Sequence, residues 1–332
     1  MNVLNVSTVI ANSTTILWAI MGYHPRVECE AIPSLQTTRA RNSELWFVNN
    51  PRLEEAILGY AARYSNRYEI KLYALALEGN HIHKAATFPK ANRAHFMRDF
   101  NSSVAKAVPR YQPDYPGGPL WARRYSSEHL VDEPDLEDVF FYIVLQPVND
   151  GLVDDIKDYP AYNCFEDAIT GREKQYRVVK WKEYNDARRW NRDVSIEEYT
   201  EYCTLKYTRL PGYEHLSQKD YERQMREKLA QRTKEILEKR KGKPSLGAVR
   251  LKAVKPGARP KKTKTSGPKD HRPRVLSKDR KRRARGKAWY FQIYFEYKEA
   301  SRRYRNGEKD VVFPKGTYKP PLFTVAYQGT II

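Results

Sequence analysis

Two stretches of this sequence hold residues that could do chemistry together. In Gly79-Asn80-His81-Ile82-His83, two imidazoles flank one apolar residue. Side chains alternate along an extended strand, so His81 and His83 share one face while Ile82 points into a core. Two imidazoles on one face can bind one metal ion. Further along, Tyr142 and Gln146 are four residues apart. On a helix that spacing brings a phenol and an amide oxygen to one side. A metal site beside a positioned tyrosine is what a nuclease needs if it keeps the cleaved phosphate on its own phenol.

The elements that must position these residues can be read from spacing. Residues 68–77 are apolar-rich and predict a buried strand; Glu78-Gly79-Asn80 supplies a bend, and residues 81–88 continue as its partner until Pro89. Asp132-Glu133-Pro134-Asp135 is a helix start, with a cap, an early proline and acids facing the helix dipole. Leu136, Val139, Phe140, Ile143 and Val144 face inward from that helix, which must stop close to Pro147. Gln146 therefore sits where a helix end leaves its amide able to turn toward a ligand.

Upstream, residues 36–41 and 44–48 read as short strand pieces around an Asn42-Ser43 turn. Asn50-Pro51 opens a helix that ends near Asn66. A second helix is expected over residues 92–108, with Phe96, Phe100, Val104 and Val108 on one stripe; residues 109–120 are a proline- and glycine-rich loop, and 121–130 are extended. The alternation predicts the α+β class: a ferredoxin-like sandwich with an antiparallel sheet and helices on one face.

The net charge is +20, and its distribution is uneven. Residues 239–287 hold 21 Lys/Arg and only Asp270 and Asp279, whereas the rest of the chain holds 39 basic and 38 acidic side chains. A near-neutral protein thus carries one concentrated polycation, including Arg280, Lys281, Arg282, Arg283 and Arg285, suited to nucleic acid. A membrane role would call for bulky apolar residues beside the charge, and these are scarce. The 24 tyrosines suit surfaces that stack or hydrogen-bond. Cys29, Cys164 and Cys203 form no zinc pairing or disulfide framework, and residues 16–21 are too short an apolar run to span a bilayer. A soluble, cytoplasmic, nucleoid-associated protein is the expectation.

The domain expectations follow. Residues 1–33 are an unassigned extension, 34–165 the catalytic domain, and 166–218 a polar connecting region. Residues 219–241 form a charged helix with a thin apolar seam of Tyr221, Met225, Leu229 and Ile236. Residues 242–287 are a basic linker expected to be disordered. Residues 288–332 are expected to form a small β element, from the aromatic alternation of 289–297 and the Asn306-Gly307 turn pair.

The order of motifs resembles a known family. Asn80-His81-Ile82-His83, then Trp121 to Tyr125 as Trp-x-x-Arg-Tyr, then Tyr142-Ile143-Val144-Leu145-Gln146-Pro147-Val148 with Gly151-Leu152-Val153, is similar to the single-tyrosine HUH transposases. The nearest branch is the REP-associated tyrosine transposases. The resemblance covers residues 36–162. Glu78-Gly79 stands where Met-Pro is common in the family, and Lys84 where an apolar residue is usual. By this resemblance His81, His83 and Gln146 would hold Mg²⁺ or Mn²⁺, and Tyr142 would be the nucleophile. The partner implied is single-stranded or hairpin DNA, with a homodimer as an open option. Lys84, Arg124 and Tyr125 are candidate DNA contacts, and Trp121 fits core packing better than stacking.

The bland reading of His81 and His83 is two strand histidines satisfied by carbonyls; that of Tyr142 is a core tyrosine. The coincidence of both motifs with Gln146 favours a metal-dependent endonuclease and strand transferase acting through a 5′-phosphotyrosine. The alternatives are a rolling-circle replication initiator and a non-catalytic binder of structured DNA or RNA that retains the fold.

Overall fold

A computed structural model describes residues 25–260 and 274–320. The chain divides into two compact units, residues 28–288 and residues 1–27 with 289–332.

The larger unit opens with β1 (Ser34–Arg39), α1 (Pro51–Arg67), β2 (Lys71–Glu78), β3 (His81–Thr87), α2 (Arg93–Tyr111), β4 (Ser126–Leu130) and α3 (Glu133–Val144). These four strands pair antiparallel in the order β2-β3-β1-β4, the expected ferredoxin-like arrangement. Register aligns the residues that matter: Thr37 lies opposite His83, and Arg39 and Glu78 lie on either side of His81.

Local chemistry sets the helix ends. The Asn50 side chain accepts from the Leu53 N–H at 3.0 Å, and Pro51 follows at the first helical position of α1. Glu28, in the expected N-terminal extension, caps α2 by accepting from the N–H groups of Arg93 and Ala94, with the Arg93 guanidinium 3.6 Å away. Pro109 lies inside the last turn of α2, where the missing N–H costs one bond, so the helix reaches Tyr111 instead of yielding to a loop.

Helices cover both faces of the sheet rather than one. Lys84 of β3 lies over Phe100 of α2, whereas His81 and His83 face α3. Residues 44–48 form turns, not a strand; Trp46 and Phe47 plug the core from there.

Residues 166–218 are more than a connector. After α4 (Phe165–Thr170), β5 (Lys174–Val179) and β6 (Thr200–Leu205) form an antiparallel pair, with α5 (Trp181–Trp190) between them. This pair packs on α1, which comes so close that a Cβ on Gly59 would stand 2.9 Å from Val178 Cγ2. Only glycine permits that approach. The charged helix α6 (Gln218–Lys239) buries Tyr221 and Met225, and its Lys228 and Arg232 pair with Glu137 of α3.

Part of the segment expected to be a basic linker makes defined contacts with the core; its residues 261–273 lie outside the described residues. The segment containing α7 (Ala248–Lys252) is tied down by backbone bonds from Leu246 and Gly247 to the carbonyls of Gly151 and Leu152, and from Gly257 to Leu45. Arg259 pairs with Glu44 at 2.7 Å. Further on, β7 (Val275–Leu276) adds a parallel strand beside β4. Composition predicts solubility of such a segment, but its few apolar residues and its backbone find partners on the core.

The expected C-terminal β element is a helix. α8 (Arg280–Arg305) contains residues 289–297, and Gly307, with φ at +100°, follows its end, where Asn306 and Gly307 donate to the carbonyls of Arg302 and Tyr304. The aromatic run fits period two, yet Tyr290, Tyr294 and Tyr297 also repeat at helical spacing within a long stretch of Ala, Arg, Lys and Glu. In that smaller unit Phe313 folds back on the rings of Tyr297 and Tyr304. Cys29, Cys164 and Cys203 are free thiols. Among the described residues no helix is long and apolar enough to cross a membrane.

Candidate active site

The four residues singled out by type and spacing converge. The rings of His81 and His83 lie edge to face, 4.6 Å between centroids, and His83 meets the Tyr142 ring at 5.7 Å. Gln146 Nε2 is 3.0 Å from His81 Nε2. α3 ends at Val144; Leu145 leaves helical geometry, and Pro147 starts a separate turn over Gln146–Asn149. That break, as expected from Pro147, turns Gln146 back toward β3. Phe141, Ile143 and Val144 are buried, but Tyr142 is 48% exposed.

Each imidazole is held through its other nitrogen. His83 Nδ1 is 2.9 Å from Thr37 Oγ1, and His81 Nδ1 donates to Asn80 Oδ1 at 2.7 Å. Asn80 is itself fixed by donating to the Ser43 carbonyl. Asn80 reads from sequence as a turn residue; it also orients a candidate ligand, and Thr37 does the same for the other. Such partners set the tautomer and aim Nε2 at a cation.

The donor set fits a divalent ion. Gln146 Oε1 is buried with no hydrogen-bond partner, and a half-turn of the amide would bring it to the side where Nε2 now faces His81. Two imidazoles and one amide oxygen are donors suited to a divalent cation. Among the described residues no three His, Cys, Asp or Glu side chains cluster as an alternative site.

A carboxyl stands beside this set. Burial pushes Glu78 up to about 8 despite a hydrogen bond donated by Tyr159, and the charge of Asp150 adds to the rise. Its position opposite His81 was not anticipated.

A cavity of about 470 Å³ opens on the same face and is lined by His83 and Tyr142. Arg39, Asp135 and Lys278 also line it, and sequence reasoning passed over all three. Parity could have found Arg39, which shares its side of β1 with Thr37. Lys278 reaches the cavity only through the pairing of β7 with β4.

The remaining candidate contacts divide. Lys84 is fully buried, with Nζ 4.1 Å from the centre of the Phe100 ring, and burial pulls it down to about 7. It cannot reach a phosphate from there. Tyr125 is buried, which removes it as a stacking platform, whereas Arg124 is exposed. Trp121 packs against Phe47 and donates to the Asn101 carbonyl. Arg280 and Lys281 are exposed. Arg282 and Arg285 pair with Asp132 at the start of α3, and Arg283 donates to the Ser277 carbonyl. Arg282 and Arg285 fasten the segment to α3, and Arg283 braces it internally.

Residues 38–146 match a family model described as Transposase IS200 like. Among solved structures, a REP-associated tyrosine transposase bound to a REP hairpin is similar with a TM-score of 0.37 and 17% identity, over 44% of this chain and 84% of that one. The tRNA(His) guanylyltransferase from Saccharomyces cerevisiae is similar with a TM-score of 0.31 and 8% identity, over 41% of this chain and 66% of that one. No curated protein matches the chain.

Proposed function

We propose, from the premise that the chain belongs to the IS200-like transposase family through residues 38–146, that it cuts and rejoins single-stranded DNA at the foot of a hairpin. The observation that carries this reading is the convergence of His81, His83, Gln146 and Tyr142 within one chain.

His81, His83 and Gln146 are the residues that would hold Mg²⁺ or Mn²⁺. Such an ion, when bound, polarises the scissile phosphate as a Lewis acid. Tyr142 attacks the phosphorus through its phenol oxygen. A bond from that oxygen to phosphorus forms as the bond to the 3′ oxygen breaks. The phenol proton leaves to solvent, and the departing 3′ oxygen takes one up. The 5′ end stays on Tyr142 as a phosphodiester, so its bond is kept for rejoining. In the second half, the 3′-hydroxyl of another strand attacks that phosphorus and returns the phenol. Thr37 and Asn80 hold the two imidazoles in place through both halves. The exposed cations Arg280 and Lys281 contact phosphates away from the chemistry.

The test uses a labelled hairpin with single-stranded flanks, Mn²⁺ and denaturing electrophoresis. A covalent adduct is expected with the natural protein and is lost in Tyr142→Phe and in His81→Ala. An adduct that persists in Tyr142→Phe overturns the assignment. Undiminished binding without any adduct would make the chain a DNA-binding protein that retains the fold.

A further inference from the structure

We infer that the cavity beside Tyr142 is a pocket for the base of a nucleotide flanking the scissile phosphate, and that Asp135 selects a base bearing an amino group. The inference rests on the strand-transfer reading for the identity of its ligand.

The cavity has the volume of a small-molecule site. Leu35, Val139 and Leu276 supply apolar walls, as the faces of a base require. Within this lining, Asp135 is 2% exposed, and its Oδ2 has no hydrogen-bond partner. A buried carboxylate oxygen without a donor is costly, and it persists where a ligand supplies the donor. Lys278 pairs with Asp138 at 3.0 Å in the same lining and leaves Asp135 alone.

Tyr142 borders the cavity, so whatever fills it adjoins the phosphate that Tyr142 attacks. A buried carboxyl oxygen without a partner is an acceptor for a ligand N–H. Cytosine and adenine offer exocyclic amines, and guanine offers N–H groups on its Watson–Crick edge. Thymine has one Watson–Crick donor, its ring N–H, set between two carbonyl oxygens, so pairing it with Asp135 brings a second acceptor against the carboxyl. The pocket therefore discriminates against thymine. The sheet face and β7 form it together, and Asp135 enters from the first turn of α3.

The experiment separates binding from chemistry. Tyr142→Phe protein, unable to form an adduct, is equilibrated with hairpins carrying a randomised single-stranded flank, and the bound pool is sequenced. One flank position is expected to be depleted of thymine by roughly tenfold, the scale of a single good base contact. Asp135→Asn, which can both donate and accept, should remove that depletion. Leu276→Trp, which fills the cavity, should erase base preference at the position. In parallel, natural protein with Mn²⁺ is allowed to form adducts with the same pool, and the attached strands are sequenced; the position should adjoin the linked nucleotide.

Adducts with no Asp135-dependent preference would overturn the pocket and leave strand transfer standing. An Asp135-dependent preference without adducts would keep the pocket and overturn strand transfer. Thymine depletion unchanged by Asp135→Asn would also overturn the pocket.

Discussion

Thr37 Oγ1 lies 2.9 Å from His83 Nδ1, across the register that pairs β1 with β3. A threonine on one strand thereby holds the ring of a histidine on the next, which also meets the Tyr142 ring. Thr37→Val keeps the shape and deletes the hydroxyl. Mn²⁺ affinity, measured by calorimetry, should weaken by about 10–100-fold, the usual effect of losing such a partner. Unchanged affinity would mean that the hydroxyl does not orient the ring.

Lys84 makes a second prediction, about stability rather than DNA. Its folded value of about 7 lies below the ordinary 10.5 because burial disfavours the charge. Between those values the unfolded chain holds a proton that the folded chain lacks, so stability rises with pH from about 7 to 10.5. Lys84→Met should flatten this rise in denaturant melts, increase stability at pH 6 and leave the salt dependence of DNA binding unaltered.

Glu78 works in the opposite sense. Burial raises its carboxyl from 4.5 to about 8, so across that window the unfolded chain is ionised and the folded chain is not. Its contribution to stability falls as pH rises from 4.5 to about 8, then levels off. Glu78→Gln should raise the melting temperature at pH 8 far more than at pH 4.5, with chelator present throughout. An equal shift at both pH values would contradict a neutral carboxyl.

The exposed cations give a binding prediction. Replacing Arg280 and Lys281 together with alanine should reduce the slope of log affinity against log salt by about 0.7 per lost single-strand contact. Arg282→Ala and Arg285→Ala should instead loosen the segment that both tie to Asp132, which proteolysis of residues 274–288 would detect. An unaltered slope in the double variant would remove Arg280 and Lys281 from the DNA surface.

The site was more legible than its surroundings for a local reason. Strand parity fixes the direction of His81 and His83, and Pro147 fixes where α3 stops, so both signals lie within a few residues of what they determine. The same parity argument puts Lys84 on the side of Ile82, in the core; reading it as a phosphate contact weighed charge above direction. The order of strands and helices was legible because each element carries its own caps and breakers. Other features depend on distant partners. Glu28 capping α2, Gly59 accommodating β5 and β7 pairing with β4 are contacts between segments far apart in sequence. No window of periodicity contains both sides of any of them. The aromatic run of 289–297 failed differently, because it satisfies period two and helical spacing at once, and its flanks decide.

The pairing of β7 with β4 has a consequence for biosynthesis. The cavity bordered by Tyr142 owes one wall to Leu276, Ser277 and Lys278, which leave the ribosome long after the tyrosine and its histidines. A chain that stops before β7 lacks that wall and the cations that follow. That cavity is therefore complete only once β7 has been made and has paired with β4.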